Sequence, residues 1–302
     1  MMQISDNMRG AAFMTASMIA FTFNDTFLKG VALDVPLAQT LFVRGIGTVI
    51  GLAGIAYYLG QLRFNFSRKN WVLILVRAGA EVAAAYLFLT ALFHMPLANV
   101  SAIMQALPLS VALAGAVFLR EPLGWKRLLA IGVGFLGVLL IVRPGTEGFN
   151  IYSAFVLAAV ACVTVRDLAV RRMSRDVPST LVALVAAAAV ALSGGVITAT
   201  QSWVPIDQAA GLNIAGATLF VVMGYVFSVV AMRTGEIGFV APFRYASLIA
   251  SLIMGYLVFG EWPRNITLLG AGIVVATGVF TIYREQVVAR RLKRQALSPH
   301  AR

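Results

Sequence analysis

Residues 98–143 read ANVSAIMQALPLSVALAGAVFLREPLGWKRLLAIGVGFLGVLLIVR. Two apolar runs flank the short charged turn Arg120-Glu121-Pro122. Each run is long enough to cross a hydrocarbon core roughly 30 Å thick as a helix. Residues 238–283 repeat the pattern as GFVAPFRYASLIASLIMGYLVFGEWPRNITLLGAGIVVATGVFTIY. At an offset of 140 residues Leu119 meets Phe259, Glu121 meets Glu261 and Gly132 meets Gly272, with Pro122 and Pro263 one place out of step. The correspondence reads as an internal duplication.

Composition extends the membrane reading to the rest of the chain. Of 302 residues, 60% are hydrophobic and only 12% are charged, with a mean hydropathy of +0.87. Soluble domains carry about 25% charged residues, so a soluble fold has too little polar surface to cover these runs. The net charge of +12 raises nucleic acid as a partner. The positive residues, however, lie between apolar runs and after Tyr283, where they anchor loops beside anionic lipid. The expected partners are therefore membrane lipids and a small-molecule substrate, with no nucleic acid. The single cysteine, Cys162, excludes an intrachain disulfide and a cysteine metal cluster. His94 and His300 are far apart and form no zinc signature, so no metal or other cofactor is expected. The opening MMQISDNMRG is mildly polar, and the run behind it holds Asn24 and Asp25 without a small-residue cleavage site, which reads as a retained first helix.

Ten spans are expected, at roughly 9–29, 36–59, 71–92, 96–119, 124–142, 150–171, 178–198, 211–232, 237–260 and 264–283. The first and sixth are the most polar, through Asn24 and Asp25 and through Arg166 and Asp167. Short connections make neighbouring helices antiparallel. With a cytoplasmic N-terminus, the inside loops carry Arg63, Arg68 and Lys69, then Arg120, Lys126 and Arg127, then Arg171, Arg172 and Arg175, then Arg233, and the tail adds Arg284, Arg290, Arg291, Lys293 and Arg294. The outside loops hold Lys29, Arg143 and Arg264. This bias places both ends in the cytoplasm. Residues 1–143 then form a five-span repeat, 144–284 a second one and 285–302 a basic cytoplasmic tail. Five is odd, so the turn at Glu121 lies inside and its copy at Glu261 outside. The fold class is an all-α integral membrane protein of ten helices in two inverted five-helix repeats, a common plan among carriers.

Glycines are spaced for close helix packing: Gly45, Gly51 and Gly54 in span 2, Gly132, Gly134 and Gly137 in span 5, and Gly270, Gly272 and Gly278 in span 10. Spans 5 and 10 lack central charge and read as scaffold or as an oligomer face, for a monomer or a homodimer.

Charge inside the bilayer is costly and needs a partner, a cavity or an interface. Asp25, Arg44, Arg77, Glu81, Arg166, Asp167 and Arg244 are the candidates. Arg77 and Glu81 stand four apart on one face of span 3, which fits an internal ion pair or a pair facing substrate. In apolar surroundings Glu81 would suit a carboxylate that exchanges protons. Arg166 and Asp167 are adjacent and project about 100° apart, so they are not expected to share a face. Arg171 and Arg172 read as interface anchors. Asn24 and Asp25 repeat the adjacent arrangement in span 1, where Asp25 can pair with Lys29 at i, i+4. Arg44, eight residues into span 2, lies about 12 Å deep by helical rise. Span 4 carries Asn99, Ser101, Gln105 and Ser110 with Pro108, and span 9 carries Arg244, Tyr245, Ser247 and Ser251 with Pro242. Proline frees a backbone carbonyl and bends a helix, so these two spans are expected to line the cavity. Gln105 and Tyr245 hold equivalent places in the two repeats. Tyr86, Tyr225, Phe88 and Trp71 supply candidate aromatic contacts.

With span 4, Leu119-Arg120-Glu121-Pro122 and the glycine-rich span 5, answered by span 9, Phe259-Gly260-Glu261 and span 10, the chain resembles the EamA-type branch of the drug/metabolite transporter superfamily along nearly its whole length. The opening Phe23-Asn24-Asp25 with Lys29, then Gln39 and Phe42-Val43-Arg44, is similar to proteobacterial S-adenosylmethionine- and riboflavin-type metabolite carriers. The resemblance implies inverted five-helix repeats, a central cavity of alternating access and structural glutamates at Glu121 and Glu261. It supplies no substrate motif to transfer.

The leading expectation is therefore a secondary carrier in a bacterial inner membrane, moving a small organic metabolite that is polar or heteroaromatic and possibly anionic. An exporter of amino acids or toxic compounds is the alternative. A multispan lipid-modifying enzyme needs a catalytic cluster at one interface, and His94 has no such company in sequence. Primary active transport by this chain is not expected, because no GxxxxGK[ST] sequence occurs.

Overall fold

The computed structural model describes residues 6–121, 123–144, 150–174, 176–234 and 237–297. Pro122, Arg175 and the tail from Ser298 onward, together with the side chains of Arg233 and of the basic residues beyond Arg284, lie outside this description. Helices are α1 (Asp6–Gly30), α2 (Leu37–Tyr58), α3 (Arg68–His94), α4 (Leu97–Met104), α5 (Leu107–Leu119), α6 (Trp125–Val142), α7 (Ile151–Arg172), α8 (Ser179–Ala199), α9 (Gln208–Thr234), α10 (Ile237–Val240), α11 (Ala246–Phe259) and α12 (Asn265–Leu297), with a 3₁₀ turn at Ala241–Tyr245. Local chemistry starts several of them. Ser67 and Asn150 accept N–H bonds from Asn70 and Tyr152, and Pro36, Pro96 and Pro178 stand immediately before α2, α4 and α8. A side-chain acceptor satisfies an N–H that the helix itself leaves orphaned.

The bends expected at Pro108 and Pro242 are full breaks. Pro108 has no N–H to offer the carbonyl of Met104, so the span stops as α4 and restarts as α5. Pro242 sits in the 3₁₀ turn, which separates α10 from α11. Each broken piece counts as half of one span, and the chain makes ten. Among the described residues, nine spans are long and apolar enough to cross a membrane. The tenth is α1, 25 residues long, whose second half carries Asn24, Asp25 and Lys29 and whose length is packed against α9.

The packing identifies the repeats. α1 lies on α9, α2 on α8, α3 on α7, α4 on α11 and α6 on α12. Exchanging the two halves turns the α1–α9 contact into α7–α3 and maps α2 on α8, α6 on α12 and, taken as whole spans, span 4 on span 9 onto themselves. Antiparallel neighbours and an odd number of spans per half make that exchange an inversion. The ends of spans 4 and 9 match in detail. Arg120 and Gly260 both take the left-handed conformation, at φ 55° and 65°. The N–H groups of Glu121 and Glu261 then return to the carbonyls of Gly115 and Gly255 at 3.3 and 2.9 Å. Both helices therefore close with the same six-residue C-terminal motif.

The molecule thus has a Glu121 end and a Glu261 end. Tyr57, Tyr58 and Trp125 are exposed at the first, and Trp203, Tyr256 and Trp262 at the second, as in the aromatic belts of membrane proteins. Between the belts the outer surface is apolar, with Leu136, Leu192, Leu219, Ile249 and Leu257 exposed.

Glycine allows α6 and α12 to touch at backbone distance. A Cβ on Gly137 would stand 2.9 Å from the Gly270 carbonyl oxygen, and one on Gly270 would stand 2.6 Å from that of Gly137. Backbone cannot step aside, so Gly270→Val is expected to destabilise the protein by about 3 kcal/mol, read as a lower melting temperature in detergent. Gly272, with open space where a Cβ would go, is the control: Gly272→Ala should melt like the parent. At least these two glycines of spans 5 and 10 are used within one chain.

Candidate functional site

The charged residues of five spans converge on one region between the halves. On α1, Asn24 is buried and its amide donates to Asp25 at 2.8 Å, while its carbonyl accepts from Arg44 Nη1 on α2 at 3.3 Å. On α3, Arg77 is buried and donates to the Val182 carbonyl of α8 at 3.1 Å. It also lies 3.9 Å from Glu81. Glu81 accepts from Arg166 Nη1 of α7 at 3.2 Å, and Arg166 Nε donates to Asp167 at 2.9 Å. Tyr225 on α9 is within electrostatic range of Glu81, Arg166, Arg77 and Arg44, and so joins the two groups. Its ring meets Phe21 edge-on at 5.5 Å between centroids. Arg244, at the break of span 9, is in range of Asp167 and Arg166.

Four expectations change here. Asp25 does not pair with Lys29, whose ammonium goes instead to Glu261 of the other half at 2.6 Å. Arg166 and Asp167 do pair, because the long guanidinium stem turns sideways across the roughly 100° between their directions. Asn24 and Asp25 bond in the same adjacent way. Glu81 is not in apolar surroundings but between two arginines. Arg171 and Arg172 do more than anchor an interface, since they reach Glu121 and the Phe118 carbonyl across the boundary between the halves.

The remaining candidates separate. Gln105, the last residue before the break of span 4, donates to Ser247 Oγ just after the break of span 9 at 2.8 Å. The two broken spans therefore meet at their breaks. Tyr245 packs against α12, and its hydroxyl would be 1.7 Å from a Cβ at Gly278. Tyr86 packs on the main apolar core. The Tyr86 and Tyr245 hydroxyls and the Asn99 carbonyl oxygen are buried without a hydrogen-bond partner, and among the described residues no hydrogen bond or ion pair joins Tyr86 or Asn99 to the charged cluster. Asn24, Lys29 and Ser247 have larger roles than sequence suggested. For Asn24 the available signal was its adjacency to Asp25.

The arginines differ in what remains free. Arg77 and Arg166 are used by carboxylates and a carbonyl. Arg44 Nε is buried without a partner. Among the described residues the Arg244 guanidinium makes no hydrogen bond or ion pair, although Asp167 attracts it from longer range, and the side chain is exposed. Charge at membrane depth needs a partner, a cavity or an interface, which makes Arg244 the candidate to face a cavity. At the Glu121 end a cleft of about 760 Å³ is lined by Arg63, Phe66, Lys69, Asn70, Arg172 and Ser174 among others. Among the described residues no group of three or more His, Cys, Asp or Glu is placed to hold a metal.

Comparison with known proteins places this geometry. Residues 8–143 and residues 150–284 each match the sequence model of the EamA-like transporter family. The chain is 27% identical over 289 residues to the riboflavin transporter of Vibrio cholerae, covering 94% of this chain and 96% of that protein. It is 24% identical to the S-adenosylmethionine uptake transporter of Rickettsia felis, covering 93% and 95%. It is 28% identical to the pseudopaline exporter CntI of Pseudomonas aeruginosa, covering 87% and 92%. One solved crystal structure shares the fold with a TM-score of 0.62 at 21% identity, over 94% of this chain and 97% of that one.

Proposed function

Because the chain belongs to the EamA-like transporter family, a family of membrane carriers and not of enzymes, we propose that it is a secondary transporter of a small organic metabolite bearing an anionic group. The cargo sits between the inverted halves, its anion toward Arg244 and Arg44 and its body beside Tyr225. The observation that carries this is the division among the arginines: two are consumed by internal partners and two keep unused donors. A buried donor without a partner favours an anionic ligand that supplies one. Residues 1–143 and 144–284 are the two inverted repeats. Access alternates as helices drawn from both repeats swing about the central site, with both termini cytoplasmic in a bacterial inner membrane and the chain acting as monomer or homodimer. The Glu121 end is then the cytoplasmic one. The family supports this plan, and relatives named for uptake and for export both lie within it.

The test is cargo-dependent thermal stabilisation of the purified protein across riboflavin, S-adenosylmethionine, nucleosides and aromatic and aliphatic amino acids. A hit that also moves into liposomes and is lost on replacing Arg244 supports the reading. Stabilisation only by uncharged lipophilic compounds, unaffected by Arg244 and Arg44, overturns the anionic cargo.

A further inference from the structure

At each end of the molecule one ion pair crosses between the halves. Lys29, in the last turn of α1, meets Glu261, just past α11, at 2.6 Å. Arg171, in the last turn of α7, donates from Nη1 to both oxygens of Glu121, just past α5, at 3.0 Å. Lys29 and Arg171 are 142 residues apart, and Glu121 and Glu261 are 140 apart. One pair is therefore the inverted copy of the other.

The copies are not equally engaged. The side chains of Lys29 and Glu261 are 10% and 24% exposed, against 40% and 45% for Arg171 and Glu121. The second oxygen of Glu261 accepts the Leu97 N–H at 3.0 Å, in the first turn of α4, where the helix dipole favours a carboxylate. Lys29 also donates to the Met95 carbonyl at 2.6 Å and stands 5.1 Å over the Phe259 ring. Among the described residues Glu121 has Arg171 alone.

We propose that these pairs are alternating latches. Resting on the reading of the chain as an alternating-access carrier, they hold one end shut while the other parts. When helices on either side of the central site part at one end to open it, an ion pair that ties them together at that end has to break, so each pair must break for its end to open. The structure has the Glu261 end latched through more partners and the Glu121 end more weakly held. In the opposite conformation the two exchange roles. The latches set which end is open; they do not touch cargo.

Opposite responses to equivalent substitutions test this. In a Cys162→Ala background, Thr26→Cys reports on the Glu261 end and Leu168→Cys on the Glu121 end. Each is labelled in sealed vesicles by a membrane-impermeant maleimide added from either side. Glu261→Gln or Lys29→Met is expected to raise labelling at position 26 roughly tenfold and to lower it at position 168. Glu121→Gln or Arg171→Met should do the reverse. The charge exchange Arg171→Glu with Glu121→Arg, at the pair whose carboxylate has no other partner among the described residues, should restore the parental rates, which separates a latch from general damage. Substitutions that move both reporters in one direction, or neither, overturn the proposal. If they do so while cargo still crosses the membrane, only the latches fall. Labelling from one side alone in every variant, without cargo flux, overturns the carrier reading with them.

Discussion

Replacing Glu81 by glutamine is expected to lower the stability of the folded protein by about 3 kcal/mol, more than any other single change in the central cluster. Glu81 faces Arg166 at 3.2 Å and Arg77 at 3.9 Å. Glutamine keeps the size and loses the charge. Arg166 then has only Asp167, and Arg77 only the Val182 carbonyl. Four guanidinium groups would face two carboxylates inside a membrane, where an uncompensated charge has no water to turn to. The measurement is the melting temperature in detergent with the yield of folded protein. The double variant Glu81→Gln with Arg166→Gln removes both partners, and much of the loss should return. That non-additivity is the signature of a pair. A Glu81→Gln protein that melts like the parent would show that the carboxylate holds nothing.

Architecture was legible in the sequence because the signals for it are local. Ten apolar runs announce themselves by length, and the duplication is visible in Glu121 and Glu261 with their following glycine-rich spans. Pro108 and Pro242 marked the places where spans 4 and 9 break. Partnerships were not legible, because they are set by which helices touch. Lys29 has a carboxylate one turn before it in Asp25, yet pairs with one 232 residues away. The reason is that α1 ends beside α11, which no local pattern states. The bond between Arg166 and Asp167 went unread for a different reason. Angles between Cα–Cβ directions constrain short side chains, whereas an arginine stem reaches across them. Seven charges stand out in the sequence as unusual for the membrane, but their division into bound and free donors depends on which helices touch.

That division makes the second large prediction. Arg244→Gln is expected to weaken cargo binding by a factor of about 30 to 4,000, the range for removing one member of a hydrogen-bonded charge pair, while the protein without cargo melts as the parent does. Both parts follow from one fact. Among the described residues the Arg244 guanidinium has no hydrogen bond or ion pair to lose, only the longer-range attraction of Asp167, which Arg166 holds directly, so its removal leaves no carboxylate without a partner. Arg77→Gln should behave in the opposite way. It loses the bond to the Val182 carbonyl and the contact with Glu81, so stability falls, while affinity measured on the fraction that remains folded changes little. Arg44→Gln falls between them, since it gives up the Asn24 contact at 3.3 Å as well as the free Nε. The measurement is a titration of each variant with the compound that stabilises the parent, followed by melting without it. If Arg244→Gln keeps its affinity, the open guanidinium is there for water or lipid headgroup, and the cargo's anion must be sought at Arg44. If Arg77→Gln loses affinity without losing stability, the arginines have been sorted the wrong way round.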